Sequence, residues 1–314
     1  SVAFLVILSG GCVKKDGKEI NIGAILPLTG RAATYGERSY NGIKLALKKI
    51  NNSADADIVK TPINIIVEDS KSQAQSSISA FQKLVSVNKV PVIIGLLTSD
   101  EALSCAPIAD KKKTVLFSPG ASSTDIKFAG DFVFRNRESS DIQADVIAKA
   151  CIDKSGGKDI AILHANAANA ISYRDSFINA VKHLGFDVTN IVVYNEGNTD
   201  YRAEIEKLRA LKPRAVYLAG YDTELGIILK QCRELGFKPD FYASAGAVSN
   251  KLLEIAQQGA EGLVCATAPF NAGSEEPHIK SFVSAFTEEY GEPPDWLAAN
   301  SYDAVDIIAH ILNG

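Results

Sequence analysis

The sequence predicts an α/β protein with two doubly wound parallel sheets, each forming one lobe, joined by a hinge. Three observations support this fold class. Short apolar runs rich in β-branched residues alternate with stretches of helical period along most of the chain. The apolar runs are continuous, as expected for parallel strands that are covered on both faces. The 314 residues hold enough of these alternating units for two sheets.

The strands are predicted from short runs of Val, Ile, Leu and Ala that end at turn residues. These runs span residues 20–26, 63–68, 92–95, 115–118, 160–164, 188–194, 215–219, 241–243 and 263–266. The helices are predicted from apolar residues at helical spacing; in the first, Ile43, Leu47 and Ile50 share one face. The helical stretches span residues 40–50, 77–87, 142–152, 177–184, 205–211 and 225–235.

Two segments interrupt the alternation and are candidate connections between the lobes. In residues 132–140 a β run passes into polar residues and a new helix, and residues 266–273 carry Pro269 and Gly273 before a helix at 278–290. The chain then returns to the lobe in which it began. We therefore predict one lobe from residues 19–137 plus 271–314, and a second from residues 138–270.

The first residues predict a protein outside the cytoplasm. Residues 2–8 are apolar and are followed by small residues and Cys12. The run is shorter than the ~20 residues that span a bilayer, but it has the length of a signal-peptide core before a cleavage site. Cys12 at that site resembles the lipobox of bacterial lipoproteins, with Leu8 one position further away than usual. We expect residues 1–18 to be signal and tether, with acylated Cys12 anchoring the protein in the periplasm or at the cell surface; the alternative is a buried N-terminal strand.

Composition excludes some partners. The net charge is −4 and the only basic cluster is the lysine triplet 111–113, at the end of a helical stretch where cations suit the helix dipole. This argues against nucleic acid as a partner. The cysteines at 105, 151, 232 and 265 lack C-x-x-C spacing. A disulfide between two of them is an open alternative outside the cytoplasm, but their apolar contexts favour free thiols. The four histidines show no metal-type pairing, and we expect no metal and no cofactor.

Three strand ends are rich in small hydroxyl residues and precede helical stretches. They are residues 27–36, 96–101 and 118–125. In parallel sheets ligands bind beyond the carboxyl ends of the strands, and hydroxyls with helix-opening N–H groups suit a carboxylate. For each segment alone, a simple N-cap is the commoner explanation. Together, the three favour an anion site.

Signatures of enzymes are missing. The sequence contains none of the nucleophile-elbow, zinc-protease, P-loop and dinucleotide motifs. Two S-x-x-K matches, at residues 86–89 and 155–158, have no supporting context. Asp159 and Asp222 lie near strand ends without a second carboxylate at a matching spacing. We therefore expect a binding protein and not an enzyme.

An ordered set of segments resembles the branched-chain amino acid binding proteins, the type I periplasmic binding proteins that serve ABC transporters. The resemblance covers residues 19–314, and its segments are residues 22–30, 33–36, 41–46, 95–99, 118–123, 220–224, 230–236, 260–263 and 301–305. It implies two lobes that close on a small ligand, an ABC permease as partner, and a monomer held at the membrane by its lipid. A ligand-binding sensor that feeds a receptor would use the same cleft and stays an alternative.

The resemblance also implies the site residues. Ser99 and the segment of Gly120, Ala121 and Ser122 match the groups that receive the ligand carboxylate. The other matching positions are Tyr35, Tyr173, Tyr221 and Leu297, the last where an aromatic residue often packs on the ligand.

One position departs from the family pattern. The acidic residue that usually receives the ligand ammonium falls at Ala245, whose methyl group cannot replace it. Either Asp222 receives the ammonium, which we slightly favour, or the ligand is a carboxylate without an amine.

Overall fold

A computed structural model describes residues 19–52 and 61–313 of the chain. The predicted lipidation site Cys12 lies outside these residues. The strands are β1 (Ile20–Leu26), β2 (Ile63–Asp69), β3 (Val92–Gly95), β4 (Val115–Ser118), β5 (Val133–Arg135), β6 (Ile160–Ala165), β7 (Val188–Tyr194), β8 (Ala215–Ala219), β9 (Asp240–Ala243) and β10 (Val264–Cys265). The α-helices are α1 (Ala33–Asn52), α2 (Ala74–Ser86), α3 (Ser99–Lys112), α4 (Ser140–Ser155), α5 (Ala168–His183), α6 (Arg202–Leu211), α7 (Asp222–Glu234), α8 (Asn250–Ala256), α9 (Pro277–Tyr290) and α10 (Trp296–Asn313).

The strands form two five-stranded parallel sheets, which confirms the predicted fold class. The first sheet has the order β2-β1-β3-β4-β5 and the second the order β10-β9-β8-β6-β7. Every strand pair is parallel. Read from β7, the second sheet repeats the order of the first, so each sheet is doubly wound with its switch point beside its first strand.

The first sheet is covered on both faces, as its continuous apolar strands predict. Ala24 of β1 packs in a core with Ile43 of α1 and Val305 of α10. Its neighbour Ile25 packs in a separate core with Phe81 of α2. Successive side chains of a strand point to opposite faces, so the two helical layers lie on opposite sides of this sheet. In the second sheet, β6 is buried along its whole length.

The chain crosses between the two sheets twice. After β5 it enters α4, which packs on α5 beside the second sheet. After β10 it runs to α9 and α10, and α10 packs along α1 beside the first sheet. We call the group around the first sheet the first lobe and the group around the second sheet the second lobe. The lobe boundaries at residues 137 and 270 stay a prediction, because packing does not fix where a hinge bends.

Two helices are longer than the sequence predicts. The helix predicted at 40–50 begins at Ala33, and the helix predicted at 177–184 begins at Ala168. The residue before each start is an alanine, Ala32 before α1 and Ala167 before α5, so the sequence shows no capping side chain there. The apolar period therefore marks the buried middle of each helix and not its start.

The four cysteines in the described residues are free thiols. Burial raises the pKa of Cys105 and Cys232 to about 12 and that of Cys151 and Cys265 to about 11. These thiols are therefore protonated at neutral pH and poor nucleophiles. Across the described ranges, the helices are all too short or too polar to cross a membrane.

Candidate functional site

A small cavity lies between the lobes, where the carboxyl ends of both sheets face each other. Its volume is about 10 Å³, about the least that holds one water molecule. A ligand as large as an amino acid enters only if the lobes part or side chains move. The cavity is lined by Tyr35, Leu97, Ser99, Gly120 and Ser122, by Arg137 between the lobes, and by Asn169, Tyr173, Tyr221 and Gly246.

The two lobes use equivalent positions to build the cavity. Tyr35 follows β1 and Ser99 follows β3, the strands that flank the switch point of the first sheet. Tyr173 follows β6 and Tyr221 follows β8, which flank the switch point of the second. Switch points of doubly wound sheets open a crevice at the strand ends. The fold therefore brings two such crevices face to face.

At the start of α3, capping and cavity lining fall on different residues. Thr98 is the N-cap, and its hydroxyl accepts a hydrogen bond from the backbone N–H of Glu101 at 3.3 Å, while the Glu101 carboxylate accepts from Thr98 N–H at 3.2 Å. This is a capping box. Because Thr98 satisfies the helix end, the neighbouring Ser99 is available to line the cavity. Its Oγ accepts a hydrogen bond from Ser123 N–H at 3.1 Å and keeps its own proton for donation.

The loop after β4 holds Gly120 and Ser122 in the cavity wall. Ser118 fixes the loop, since its hydroxyl donates to the Leu96 carbonyl at 2.9 Å and accepts from Ala121 N–H at 3.1 Å. A Cβ on Gly120 would lie 2.7 Å from the Leu97 carbonyl oxygen, so only glycine allows this approach. In this loop Ser118 thus holds the backbone, while Ser122 lines the cavity.

The loop after β1, which leads to Tyr35, is held by one carboxylate. Asp69 accepts hydrogen bonds from the Thr29 hydroxyl at 2.6 Å, Leu28 N–H at 3.0 Å and Lys71 N–H at 2.8 Å. Burial alone would raise the pKa of Asp69, but these hydrogen bonds, that from Thr29 foremost, outweigh it and lower the pKa. The ionised carboxylate therefore stabilises this loop.

Arg137 brings a buried positive charge to the cavity. Its guanidinium donates to the Gly120 carbonyl at 2.7 Å and to the Tyr173 hydroxyl at 3.1 Å, and it lies 4.1 Å from the ring centre of Trp296. The Tyr173 hydroxyl in turn donates to Gln143 at 2.7 Å. Only 8% of Arg137 is exposed, and its Nε is buried without a hydrogen-bond partner among the described residues.

The opposite wall consists of Tyr35, Tyr221 and Gly246. The Tyr35 hydroxyl donates to the Gly246 carbonyl at 3.2 Å across the lobes, and its ring meets the Tyr221 ring edge-on at 5.6 Å. Burial first, then the charge of Asp222, raises the pKa of Tyr35 well above its usual value. The phenol therefore stays a hydrogen-bond donor at neutral pH. A Cβ on Gly246 would lie 2.0 Å from the Gly220 carbonyl oxygen, so this approach also needs glycine.

Further contacts hold the lobes together around the cavity. Asp100 of α3 accepts hydrogen bonds from Ala168 N–H, at the start of α5 in the second lobe, at 3.2 and 3.3 Å. Arg31 of the first lobe forms an ion pair with Glu196 of the second. The side chain of Asn169, one residue past Ala168, lines the cavity, and its Oδ1 is buried without a partner in the described part of the chain. The arrangement described here is thus a closed one.

The structure brings six of the predicted site residues together and places four elsewhere. Tyr35, Ser99, Gly120, Ser122, Tyr173 and Tyr221 line the cavity. The other four, Ala121, Asp222, Ala245 and Leu297, are buried without lining it. Asp222 is 1% exposed, and its Oδ2 has no hydrogen-bond partner among the described residues. Whether any of these residues binds a ligand stays a prediction.

Sequence reasoning missed four cavity residues: Leu97, Arg137, Asn169 and Gly246. Arg137 stood in the predicted connection between the lobes, where a charged residue was the available signal. Gly246 follows Ala245 directly, in a run of small residues after β9. Asn169 had no signal, because the sequence did not predict that α5 begins beside it.

A larger cavity of about 750 Å³ opens between α1 and α8, beside the first. Its wall includes the ion pair of Arg38 with Asp295, whose atoms are 3.1 Å apart. The wall of this larger cavity also carries Glu37, Lys251, Glu254 and Glu292. The small cavity instead gathers six of the predicted site residues, together with two polar atoms that have no partner among the described residues, Arg137 Nε and Asn169 Oδ1. We therefore assign the functional site to the small cavity. Within the described ranges, no group of three His, Cys, Asp or Glu side chains is placed to hold a metal ion.

Comparison with protein families gives one match over nearly all of the described chain. A family model described as periplasmic binding protein matches residues 19–314. This range includes both sheets and every residue that lines the cavity.

Individual proteins show the same similarity. The leucine-, isoleucine-, valine-, threonine- and alanine-binding protein of Pseudomonas aeruginosa is 25% identical over 291 residues, which cover 92% of this chain and 77% of that protein. Leu/Ile/Val-binding protein homolog 1 of Brucella suis is 27% identical, covering 97% of this chain and 80% of the relative. The crystal structure of a leucine-binding protein from Thermotoga maritima superposes with a TM-score of 0.86 at 27% identity, covering 92% of this chain and 81% of that one.

Proposed function

We propose that this chain, which belongs to the periplasmic binding protein family, captures an amino acid or related small carboxylate outside the cytoplasm for an ABC transporter. It is a binding protein and not an enzyme. The observation that carries the proposal is the cavity between two parallel sheets, lined at both switch points and reached by separating the lobes. The names of its relatives, an amino-acid-binding protein in Pseudomonas aeruginosa and a homolog of Leu/Ile/Val-binding proteins in Brucella suis, support an amino acid.

The first lobe receives the carboxylate of the ligand. Ser99 and Ser122 line the cavity, and Gly120 and Ala121 form the backbone directly before Ser122. A hydroxyl that donates to a carboxylate makes a charge-assisted hydrogen bond. Because Thr98 and Ser118 already satisfy the local backbone, Ser99 and Ser122 can serve the ligand.

Asp222 receives the ammonium group, which makes the ligand amino-acid-like. Ala245 cannot supply a charge partner, and an unpaired buried ammonium is strongly disfavoured. Asp222 follows Tyr221 of the cavity wall, and its charge acts on Tyr35. Its Oδ1 accepts Thr223 N–H at 2.8 Å, which leaves the buried Oδ2 for a ligand amine. Asp222 does not line the closed cavity, so this role requires Tyr221 or the lobes to move.

The protein acts as a monomer attached to the outer face of a membrane. The apolar run before Cys12 and the small residues between them support acylation of this thiol after signal cleavage. The cavity is built from a single chain, so ligand capture needs no second copy. Separation and closure of the lobes would report occupancy to the permease.

The test is a titration of matched ligands by calorimetry. L-leucine carries both charges, 4-methylpentanoate lacks the amine and L-leucinamide lacks the carboxylate charge. We expect wild-type protein to bind leucine most tightly, and Asp222→Asn to weaken leucine about 10-fold or more, as for loss of a charged hydrogen bond, while sparing 4-methylpentanoate. The matched control is Asp159→Asn, because Asp159 lies next to β6 of the same sheet but on the surface, in an ion pair with Arg214 and away from the cavity.

Three results would contradict parts of the proposal. If wild type prefers 4-methylpentanoate, the ligand lacks an amine and Asp222 has no such role. If leucine binds tightly to both wild type and Asp222→Asn, another acid such as Asp100 holds the amine. If a wider panel of amino acids and small carboxylates gives no binding and no thermal stabilisation, the proposed ligand class is wrong, since a ligand at 100 times its Kd stabilises by ~2.7 kcal/mol.

A further inference from the structure

We propose that Arg137 is a charged receptor for the ligand carboxylate and sets the preference of the site for anionic over neutral ligands. The proposal deepens the function proposed above and rests on it. In that function the carboxylate meets only hydroxyls and backbone groups of the first lobe. Arg137 lies between the lobes and lines the same cavity, so it would add a full positive charge to that end of the site.

The first argument is that Arg137 lacks a counter-charge. Among the described residues no acidic side chain forms an ion pair with it, although 92% of the residue is buried. Its two ordered hydrogen bonds go to neutral oxygens of Gly120 and Tyr173. The nearest acid in its network is Glu138, which it reaches only through Tyr173 and Gln143. Buried charges are normally paired, because desolvating them is costly.

The second argument is the position of Arg137 next to the loop that is proposed to bind the carboxylate. Gly120 belongs to the loop that also carries Ser122, and the guanidinium is bonded to the Gly120 carbonyl at 2.7 Å. Arg137 therefore stands at the carboxylate end of the site. Its Nε is buried with no partner in the described part of the chain, so a donor remains for a ligand oxygen. An Arg fork suits a carboxylate because its N–H groups match two oxygens at once.

The third argument is that Arg137 is held rigid before a ligand arrives. Trp296 lies against one face of the guanidinium, with 4.1 Å between the ring centre and Cζ, and two hydrogen bonds fix its edge. A preorganised group loses little freedom on binding. With an amino acid bound, the site is also neutral overall, because Arg137 balances the ligand carboxylate and Asp222 balances the ligand ammonium.

A purely structural role for Arg137 makes different predictions, and Arg135 shows what such a role looks like. Arg135 also donates to carbonyls of the loop after β4, to Ser123 at 2.8 Å and Ala121 at 3.4 Å, but it does not line the cavity. Arg135→Gln is therefore the matched control. Loss of a structural arginine changes the binding of all ligands alike, whereas loss of a carboxylate receptor changes only anions.

The experiment measures the affinities of L-leucine, 4-methylpentanoate and L-leucinamide for wild type, Arg137→Gln, Arg137→Lys and Arg135→Gln. We expect Arg137→Gln to weaken the two carboxylates about 10-fold or more and to leave leucinamide unchanged. Arg137→Lys keeps the charge without the fork, so it should weaken the carboxylates less. Arg135→Gln should leave the ratio of leucine to leucinamide affinity as in wild type.

Equal changes for leucine and leucinamide in Arg137→Gln would overturn the proposal, as would unchanged leucine binding. If Arg137→Gln does not fold, the ratio of leucine to leucinamide affinity in Arg137→Lys is compared with that of wild type instead. If wild type binds none of the three probes, the proposed function fails and acetate, with acetamide as its neutral counterpart, tests Arg137 alone. Thermal stabilisation by acetate that is lost in Arg137→Gln and reduced in Arg137→Lys then supports the receptor. Equal stabilisation in wild type and variants, or no stabilisation of wild type by acetate, rejects it.

Discussion

Replacing Ser99 and Ser122 with alanine separates two effects that the structure assigns to different hydroxyls. Ser99 Oγ accepts the Ser123 N–H at 3.1 Å, so Ser99→Ala leaves a buried N–H without a partner. Such a group costs about 1–3 kcal/mol of stability. No described residue hydrogen-bonds to the Ser122 hydroxyl, so Ser122→Ala should leave the free energy of unfolding nearly unchanged.

Both substitutions should weaken ligand binding. Each removes a hydrogen bond to a carboxylate, worth about 1.5–3 kcal/mol at most, since water can replace the hydroxyl. The two losses together amount to at most about 3–6 kcal/mol. Because water recovers part of this and every 1.4 kcal/mol is a factor of ten, the double variant should bind several-fold to hundreds-fold more weakly. Calorimetry with L-leucine, or with the ligand found by the panel above, gives the affinity, and urea denaturation gives the stability.

The matched control is Ser104→Ala on the same helix. Its hydroxyl donates to the Asp100 carbonyl at 2.6 Å and does not line the cavity, so binding should be unchanged. A double variant that binds like wild type would refute the carboxylate assignment. Full stability in Ser99→Ala would refute the structural role of its oxygen.

Two further predictions concern closure and pH. The lobes should close on the ligand about the connections near Arg137 and Thr267, so small-angle scattering should give a smaller radius of gyration with ligand; superimposable curves at saturation would contradict this. The hydrogen bonds of Asp69 lower its pKa, so their contribution is present above the unfolded pKa of about 3.9 and is lost as pH falls through the lower folded pKa. The stability difference between wild type and Asp69→Asn should therefore shrink below about pH 4, and a difference that is constant from pH 6 to 3 would show that the charge does not stabilise the loop.

The sheets could be predicted from the sequence because their signal is local. Continuous apolar runs such as residues 92–95 are buried along their whole length, as parallel strands covered on both faces are. The start of α5 could not be predicted, because the group that bonds its first N–H is Asp100 of the other lobe. A cap that lies 68 residues away in the chain leaves no trace in the local sequence.

The candidate site was predicted in part, for a related reason. The hydroxyls after β3 and β4 follow from strand ends, and the match to a family located the tyrosines. Arg137 and Asn169 depend on how the lobes meet, which no segment encodes alone. Leu297 illustrates the converse: its neighbour Trp296 reaches Arg137 while Leu297 itself packs in the core of the first lobe.

Because the Ala168 N–H donates to Asp100, the position of the cavity residue Asn169 in the second lobe depends on contact with the first lobe. When the lobes separate, α5 loses the acceptor at its N-terminus, and helix ends without an acceptor fray. Asn169 would then be held in place only in the fraction of molecules that are closed. The measured dissociation constant of such a protein is the intrinsic one divided by that fraction. Substitutions far from the ligand that change the closed population would thus tune affinity without touching a contact.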